Sequence, residues 1–262
     1  MSFVDASRLD RHAYLDSVIH RFDPRAKVLA TLVFIVTVVS FDKYTIGPLL
    51  PFLAFPVVLA VLGFVPFGLI ARRFALAFPF ILLIGVFNPL LDRTVMVQIG
   101  SVGFSGGWIS FTSILLRGLL CVTAGIVLIA TTSVPRVAEA LGALRLPRAL
   151  VVQLLLLYRY LFVLMAEAGR MRRARALRGG TAKASVRDAI SMLTTLLLRT
   201  VDRSEAIWRA MVARGFEGEL RSPRRLRWRF SDTMFLVLVS AVCITLRMHP
   251  ITDWLGQWAL TG

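Results

Sequence analysis

The 262-residue chain is 57% hydrophobic and 18% charged, with a mean hydropathy of +0.73; ordinary globular domains are about 45–50% apolar and about 25% charged. This excludes a soluble enzyme and a disordered chain and implies an integral membrane protein. Yet 31 Lys and Arg stand against 15 Asp and Glu, a formal net charge of +16 that must be kept in water.

The N-terminal stretch up to Lys27 has mixed charge and no apolar h-region, so no cleaved signal peptide is expected. Asp23-Pro24 reads as an N-cap followed by proline at the first helical position, opening the first membrane helix. A crossing helix needs about 20 mostly apolar residues. Five stretches fit, at roughly 25–41, 45–65, 74–91, 108–132 and 230–247. A sixth apolar run, 149–166, contains Gln153 and Arg159. Arg117 lies inside the fourth stretch with no acid in a span to pair with; it is nearer one end and is read as snorkelling to the interface. Cys121 and Cys243 fall in apolar stretches, and His12, His20 and His249 are far apart, so neither a disulfide framework nor a metal site is expected. The glycines at 103, 106 and 107 precede a span and lack a following Lys, and no phosphate-loop motif occurs anywhere, so no nucleotide site is expected in this chain.

Basic residues collect on the cytoplasmic side of membrane proteins. Segment 134–229 holds 20 of the 31 Lys and Arg and seven acids, a net of +13. An N-terminus inside, four crossings, this segment inside and a last crossing leave at most one basic residue in each outer loop. If 149–166 crossed as well, most of those basic residues would lie outside. The run is therefore read as an apolar helix lying along the membrane or packing under the spans, with a sixth span as the competing reading. Arg221–Arg229 reads as a stretch facing anionic lipid rather than nucleic acid.

Three helices are expected in the basic segment. A short one covers about 134–145, with Pro135 in its first turn. A second runs from Pro147 to about Arg178, with Gly179–Gly180 as a stop. A third runs from Ser185 to about Arg214, with Asp188 in a capping-box position and Gly215 as a stop. The two long ones each span about 45 Å at 1.5 Å per residue. A stripe from Val186 through Ile190, Leu193, Leu197 and Val201 to Trp208 reads as a packing face along the third. Arg173-Ala174-(three residues)-Arg178-Gly179 recurs 36 residues later as Arg209-Ala210-(three residues)-Arg214-Gly215. Each long helix thus ends in an Arg followed by Gly. The Arg suits the negative end of the helix dipole, and its planar fork suits bidentate docking to a carboxylate on a partner.

The stretch YRYLFVLMAEAGRMRRARALRGG at 158–180, RSEAIWRAMVARGF at 203–216 and DPRAK at 23–27 resemble the transmembrane T component of energy-coupling factor (ECF) transporters, of the cobalt/nickel, CbiQ-like type. The hydropathy layout agrees over essentially the whole chain. The family's two signature tripeptides are of the Ala-Arg-Gly type. The second is intact as Ala213-Arg214-Gly215; the first departs, as Leu177-Arg178-Gly179, with Ala174-Arg175-Ala176 as its rival; Arg178 is favoured over Arg175 as the first-motif arginine because Gly follows it and the 36-residue repeat pairs it with Arg214.

The resemblance implies an all-α integral membrane protein with about five transmembrane helices plus a cytoplasmic or membrane-lying set of three coupling helices, two of them long. The regions would be 1–132 (arm and four spans), 133–229 (coupling helices) and 230–262 (last span and short outer tail). It implies a non-catalytic subunit of the inner membrane, N-terminus cytoplasmic and C-terminus outside. Such a subunit links two ATPase subunits, which bind ATP and magnesium, to a substrate-binding membrane subunit, with a small accessory membrane subunit as a further partner. The long helices would cross and offer Arg178 and Arg214 to the ATPases, and cobalt or nickel would be the cargo. The alternatives are a T component of a vitamin importer, an intramembrane enzyme and a self-contained carrier. The last two would need polar sets within the spans, and none beyond Arg117 is evident.

Overall fold

The computed structural model describes residues 19, 22–91, 95–99, 102–178, 185–218 and 226–248. Gly179, most of the N-terminal arm and the basic residues 221–225 lie outside them.

Helix α1 (Pro24–Val39) opens as the sequence implies: Asp23 Oδ1 accepts the Arg25 N–H at 2.9 Å and Pro24 occupies the first turn. The 45–65 stretch, expected as one helix, is divided. Gly47–Leu53 is a 3-10 helix with Pro51 inside it, and α2 (Ala54–Leu62) follows, with Gly63 at its end. Pro48, Pro51 and Pro56 each remove a backbone donor, so this stretch cannot sustain one regular i→i−4 ladder. Helix α3 (Phe67–Leu91) contains Pro79 and Pro89. The loop read at 92–107 carries a small antiparallel hairpin, β1 (Val95–Ile99) against β2 (Val102–Ser105). Helices α4 (Gly106–Thr132), α5 (Val134–Ala143), α6 (Arg148–Leu177), α7 (Val186–Ala213) and α8 (Phe230–Met248) complete the described chain. The protein is an all-α membrane protein apart from that hairpin. Phe67–Pro89, Gly106–Thr132, Arg148–Leu177 and Phe230–Met248 are long and apolar enough to cross a bilayer by length and composition.

The described residues fall into two units, 138–218 and the remainder. In the larger unit α4 is central. It packs against α1, α2 and α3, and α1 packs against α8. The core is formed by Phe34, Leu49, Phe52 and Leu120, all at most 2% exposed, with Val239 and Cys243 against them. Helices α3 and α4 approach closely at two glycines: a Cβ on Gly85 would sit 2.8 Å from Phe111, and one on Gly118 2.7 Å from Ile81.

Polar contacts at the two ends of this unit fix the helix directions. At one end the Asp23 N–H donates to Asp232 Oδ1 at 2.8 Å, Phe22 stacks on Phe235, and Lys27 Nζ donates to the Thr131 carbonyl at 3.1 Å. At the other, Arg247 donates to the Ser40 carbonyl at 3.0 Å, Arg117 donates to the Asp42 carbonyl, and Ser113 Oγ donates to the Thr45 carbonyl at 3.0 Å. Thus α1 and α8 run parallel and α4 antiparallel to both. The chain leaves α4 and re-enters α8 at the same end, so the segment between them makes no net crossing. A single crossing by 149–166 does not fit this. A return crossing would fall to α7, which carries seven charged residues in 28 and is not among the helices apolar enough to span. The reading of Arg117 as a snorkelling residue acquires a partner here. The acid that the sequence reading passed over, Asp232, sits in the first turn of α8 at the opposite end, 1% exposed.

Within the smaller unit, no residue of α6 or α7 is buried. The α7 stripe does not pack along the chain as the sequence suggested: Val186 is 77% and Leu197 65% exposed, and Ile190, Leu193, Val201 and Trp208 are exposed with them. The periodicity marks an apolar face without saying what covers it.

Candidate partner-docking site

The ends of α6 and α7 are built alike. Arg178 is the C-cap of α6, with φ −84° and ψ 20°, and Arg214 is the C-cap of α7, with φ −95° and ψ 12°. The α7 end closes in a Schellman turn. Gly215, at φ +74°, donates its N–H to the Val212 carbonyl at 2.9 Å, and the Phe216 N–H reaches the Met211 carbonyl at 3.1 Å. Only glycine adopts that left-handed φ at no steric cost. The Phe216 ring then meets the Trp208 ring edge-on, 6.2 Å between centroids. Arg178, Ala213, Arg214 and Gly215 are exposed, and Leu177 is 88% exposed.

Upstream of the tips the two helices are tied by ion pairs. Glu167 on α6 accepts from Arg170 on its own helix and from Arg199 Nη1 on α7 at 2.6 Å. Arg175 on α6 pairs with Asp188 in the first turn of α7, and the Asp188 carboxylate also accepts the Ser185 N–H at 3.0 Å, as the capping-box spacing implies. Arg203 lies over the Tyr160 ring at 6.0 Å. Residues 160, 167 and 175 thus meet 203, 199 and 188, so α6 and α7 are antiparallel along this stretch. Hydrogen bonds from Arg170 and then Arg199 hold the Glu167 carboxyl below the usual carboxylate range. An open cleft of about 770 Å³ between the helices is lined by Glu167, Arg170, Arg175, Arg178, Met192 and Arg199.

The two candidate first-motif arginines differ in their contacts. Arg175 is committed to Asp188 inside the chain. Arg178 occupies the position that Arg214 occupies on the other helix, and neither side chain has an ion-pair or hydrogen-bond partner among the described residues. Two exposed guanidinium forks at matched helix ends, beside an exposed leucine on α6, can accept acidic groups from outside the chain. Among the described residues no cluster of His, Cys, Asp and Glu is arranged to hold a metal ion. Sequence reasoning missed the α6–α7 ion pairs; opposite charges on two helices already expected to be long neighbours were the available signal.

Residues 16–224 match the family model of CbiQ, described as cobalt transport protein. The chain is also similar to curated energy-coupling factor transporter transmembrane proteins named EcfT. That of Streptococcus thermophilus is 28% identical over 93% of this chain and 98% of its own length. That of Bacillus subtilis is 25% identical over 93% and 99%, and that of Thermotoga maritima 25% over 90% and 91%.

Proposed function

The chain belongs to the CbiQ family of energy-coupling factor transporter transmembrane components, a membrane subunit and not itself an enzyme, and from that premise we propose that it couples two cytoplasmic ATPase subunits to a substrate-binding membrane subunit for cobalt or nickel uptake. The observation that carries the docking role is the matched pair of C-cap arginines, Arg178 and Arg214, whose side chains have no ion-pair or hydrogen-bond partner among the described residues. In this reading Arg178 belongs to the first motif and Arg175 positions α7 beneath it. Each tip inserts its guanidinium into an acidic groove of one ATPase. Leu177 and Ala213 precede the arginines at the contact, and Gly215, with Gly179 as its sequence counterpart, turns the chain away so that the arginine protrudes. Closure of the ATPase pair on ATP moves the two tips. The exposed apolar faces of α6 and α7 carry that motion to the substrate-binding subunit. The basic segment lies in the cytoplasm, which puts the N-terminus inside and the end of α8 outside. The metal rests on the family description.

The test is an Arg178→Ala/Arg214→Ala double variant in the assembled transporter. The expected result is loss of ATPase co-purification and of uptake, with folding intact by size exclusion. Full ATPase recovery and unchanged uptake would overturn the docking role. Parallel uptake of ⁵⁷Co²⁺, ⁶³Ni²⁺ and tritiated biotin by the wild type separates the metal reading from the vitamin reading.

A further inference from the structure

The chain passes from α4 into α5 through one residue, Ser133, at φ +62°. This is the left-handed region that a non-glycine residue enters only when its surroundings hold it there. Hydrogen bonding continues on both sides of it. The Ser133 N–H donates to the Ile129 carbonyl at 3.0 Å, and its own carbonyl accepts from Val137 at 3.1 Å. Helix α4 ends at Thr132, and Ser133 takes the chain out of the helical region, so the last carbonyls of α4 lose the N–H four residues on, as at any helix end; for Thr131 that residue is Pro135, already in the first turn of α5 and without an N–H. Thr131 lies within the apolar α4 and is 2% exposed, so water does not replace the missing donor. The donor comes from another helix, 104 residues away in sequence: Lys27 Nζ, 3.1 Å from the Thr131 oxygen and on a residue only 5% exposed.

Burial and the Arg136 guanidinium oppose the charge of this ammonium, and the carboxylates of Asp23 and Asp232 attract it. Asp23 caps α1 through the Arg25 N–H, and Asp232 accepts the N–H groups of Asp23 at 2.8 Å and Arg229 at 2.7 Å. The starts of α1 and α8 and the end of α4 therefore converge on one lysine.

We propose that Lys27 is the positioning residue of the α4–α5 joint: it supplies a donor to the Thr131 carbonyl where the α4 ladder ends and so fixes the angle at which the first turn of α5 leaves α4. The joint's role in transport rests on the coupling reading above, since α5 leads into the helices that carry the arginine tips; the geometry of the joint does not. Without Lys27 the Thr131 carbonyl is unpaired, and the joint samples several angles. Arginine at 27 keeps a donor within reach.

The experiment places spin labels at Ile129 and Leu144, both more than one-third exposed, in a Cys121→Ser, Cys243→Ala background, and reads their distance distribution by pulsed EPR in the transporter purified with its ATPases. The span is about 22 Å if the helices are collinear. The wild type and Lys27→Arg are expected to give one narrow population, and Lys27→Met a distribution at least twice as broad. ATP hydrolysis within about twofold of the wild type in Lys27→Met separates a loosened joint from a lost complex. An unchanged width in Lys27→Met, or a Lys27→Arg distribution as broad as that of Lys27→Met, overturns the proposal. If Lys27→Met does not assemble, the distances are read on the chain without its ATPases, and an unchanged width there overturns it. Absence of ATPases from the wild-type preparation would instead overturn the coupling reading and leave the distances readable on the chain alone.

Discussion

Replacing Asp232 by alanine tests whether one buried carboxylate joins the starts of α1 and α8. Its two oxygens have separate duties: Oδ1 accepts the Asp23 N–H at 2.8 Å and Oδ2 the Arg229 N–H at 2.7 Å. Hydrogen bonds to a charged group contribute about 1.5–3 kcal/mol each. At 1% exposure the stranded donors do not recover water, so Asp232→Ala is expected to cost about 3–5 kcal/mol. Asparagine keeps one acceptor and turns an NH₂ toward the other N–H, so Asp232→Asn is expected to cost about 2 kcal/mol. For a chain of this size each kcal/mol moves Tm by about 2–4 °C, which puts the alanine variant about 10 °C below the wild type. The assay is thermal unfolding of the detergent-solubilised chain by tryptophan fluorescence. Trp228, whose Nε1 donates to Thr233 Oγ1 at 2.7 Å, reports from the same end of α8. An alanine variant within a degree of the wild type, or an asparagine variant as unstable as alanine, would refute the two-donor account.

Gly118→Ala puts a methyl group 2.7 Å from Ile81 Cγ2 and 2.8 Å from its Cδ1 and is expected to cost about 1–3 kcal/mol through overpacking; Gly118→Ala/Ile81→Ala, which removes both atoms, should melt above Gly118→Ala in the same assay. The Glu167 carboxyl is held low by Arg170 and Arg199, so its contribution to α6–α7 pairing is present above the unfolded carboxyl value of about 4.3 and is lost as pH falls through the depressed folded value. Spin labels on α6 and α7 should keep their spacing from pH 8 to 5 and separate in acid, and Glu167→Gln should show the separated spacing at every pH.

Much of the segment from 134 to 214 was legible because its signals are local. Pro135, Pro147, Ser185 with Asp188, and Gly215 mark ends by their own backbone chemistry, and the helices Val134–Ala143, Arg148–Leu177 and Val186–Ala213 follow them closely. Asp23-Pro24 was legible for the same reason. The division of 45–65 was missed because apolarity was weighed and three prolines were not. The joint at Lys27 was not legible, because its two halves lie 104 residues apart and Thr131 becomes a site only because α4 ends one residue beyond it. Between Arg175 and Arg178 the sequence favours Arg178, which Gly follows and the 36-residue repeat pairs with Arg214; the contact of Arg175 with Asp188 across the helix pair was not legible, because it depends on the packing of two helices.

Seven of the chain's arginines fall into three groups by what they contact. Arg117 and Arg247 donate to the Asp42 and Ser40 carbonyls just beyond α1, where a helix end leaves acceptors without intrahelical donors. These two serve the membrane unit, and their charge lies where a helix terminus attracts it. Arg170, Arg175 and Arg199 are matched by Glu167 and Asp188 and serve the antiparallel pairing of α6 with α7. Arg178 and Arg214 do neither. Their backbone amides close the helices, as any residue's amide would, and the dipole rewards their charge by only about 0.3–1 kcal/mol, which a lysine would collect equally. What a lysine lacks is the planar fork. Intrachain stability accounts for a positive charge at each tip, and 28 of the chain's 31 Lys and Arg are Arg, so the docking reading rests on the matched cap geometry and the exposure of the two side chains rather than on the choice of arginine over lysine.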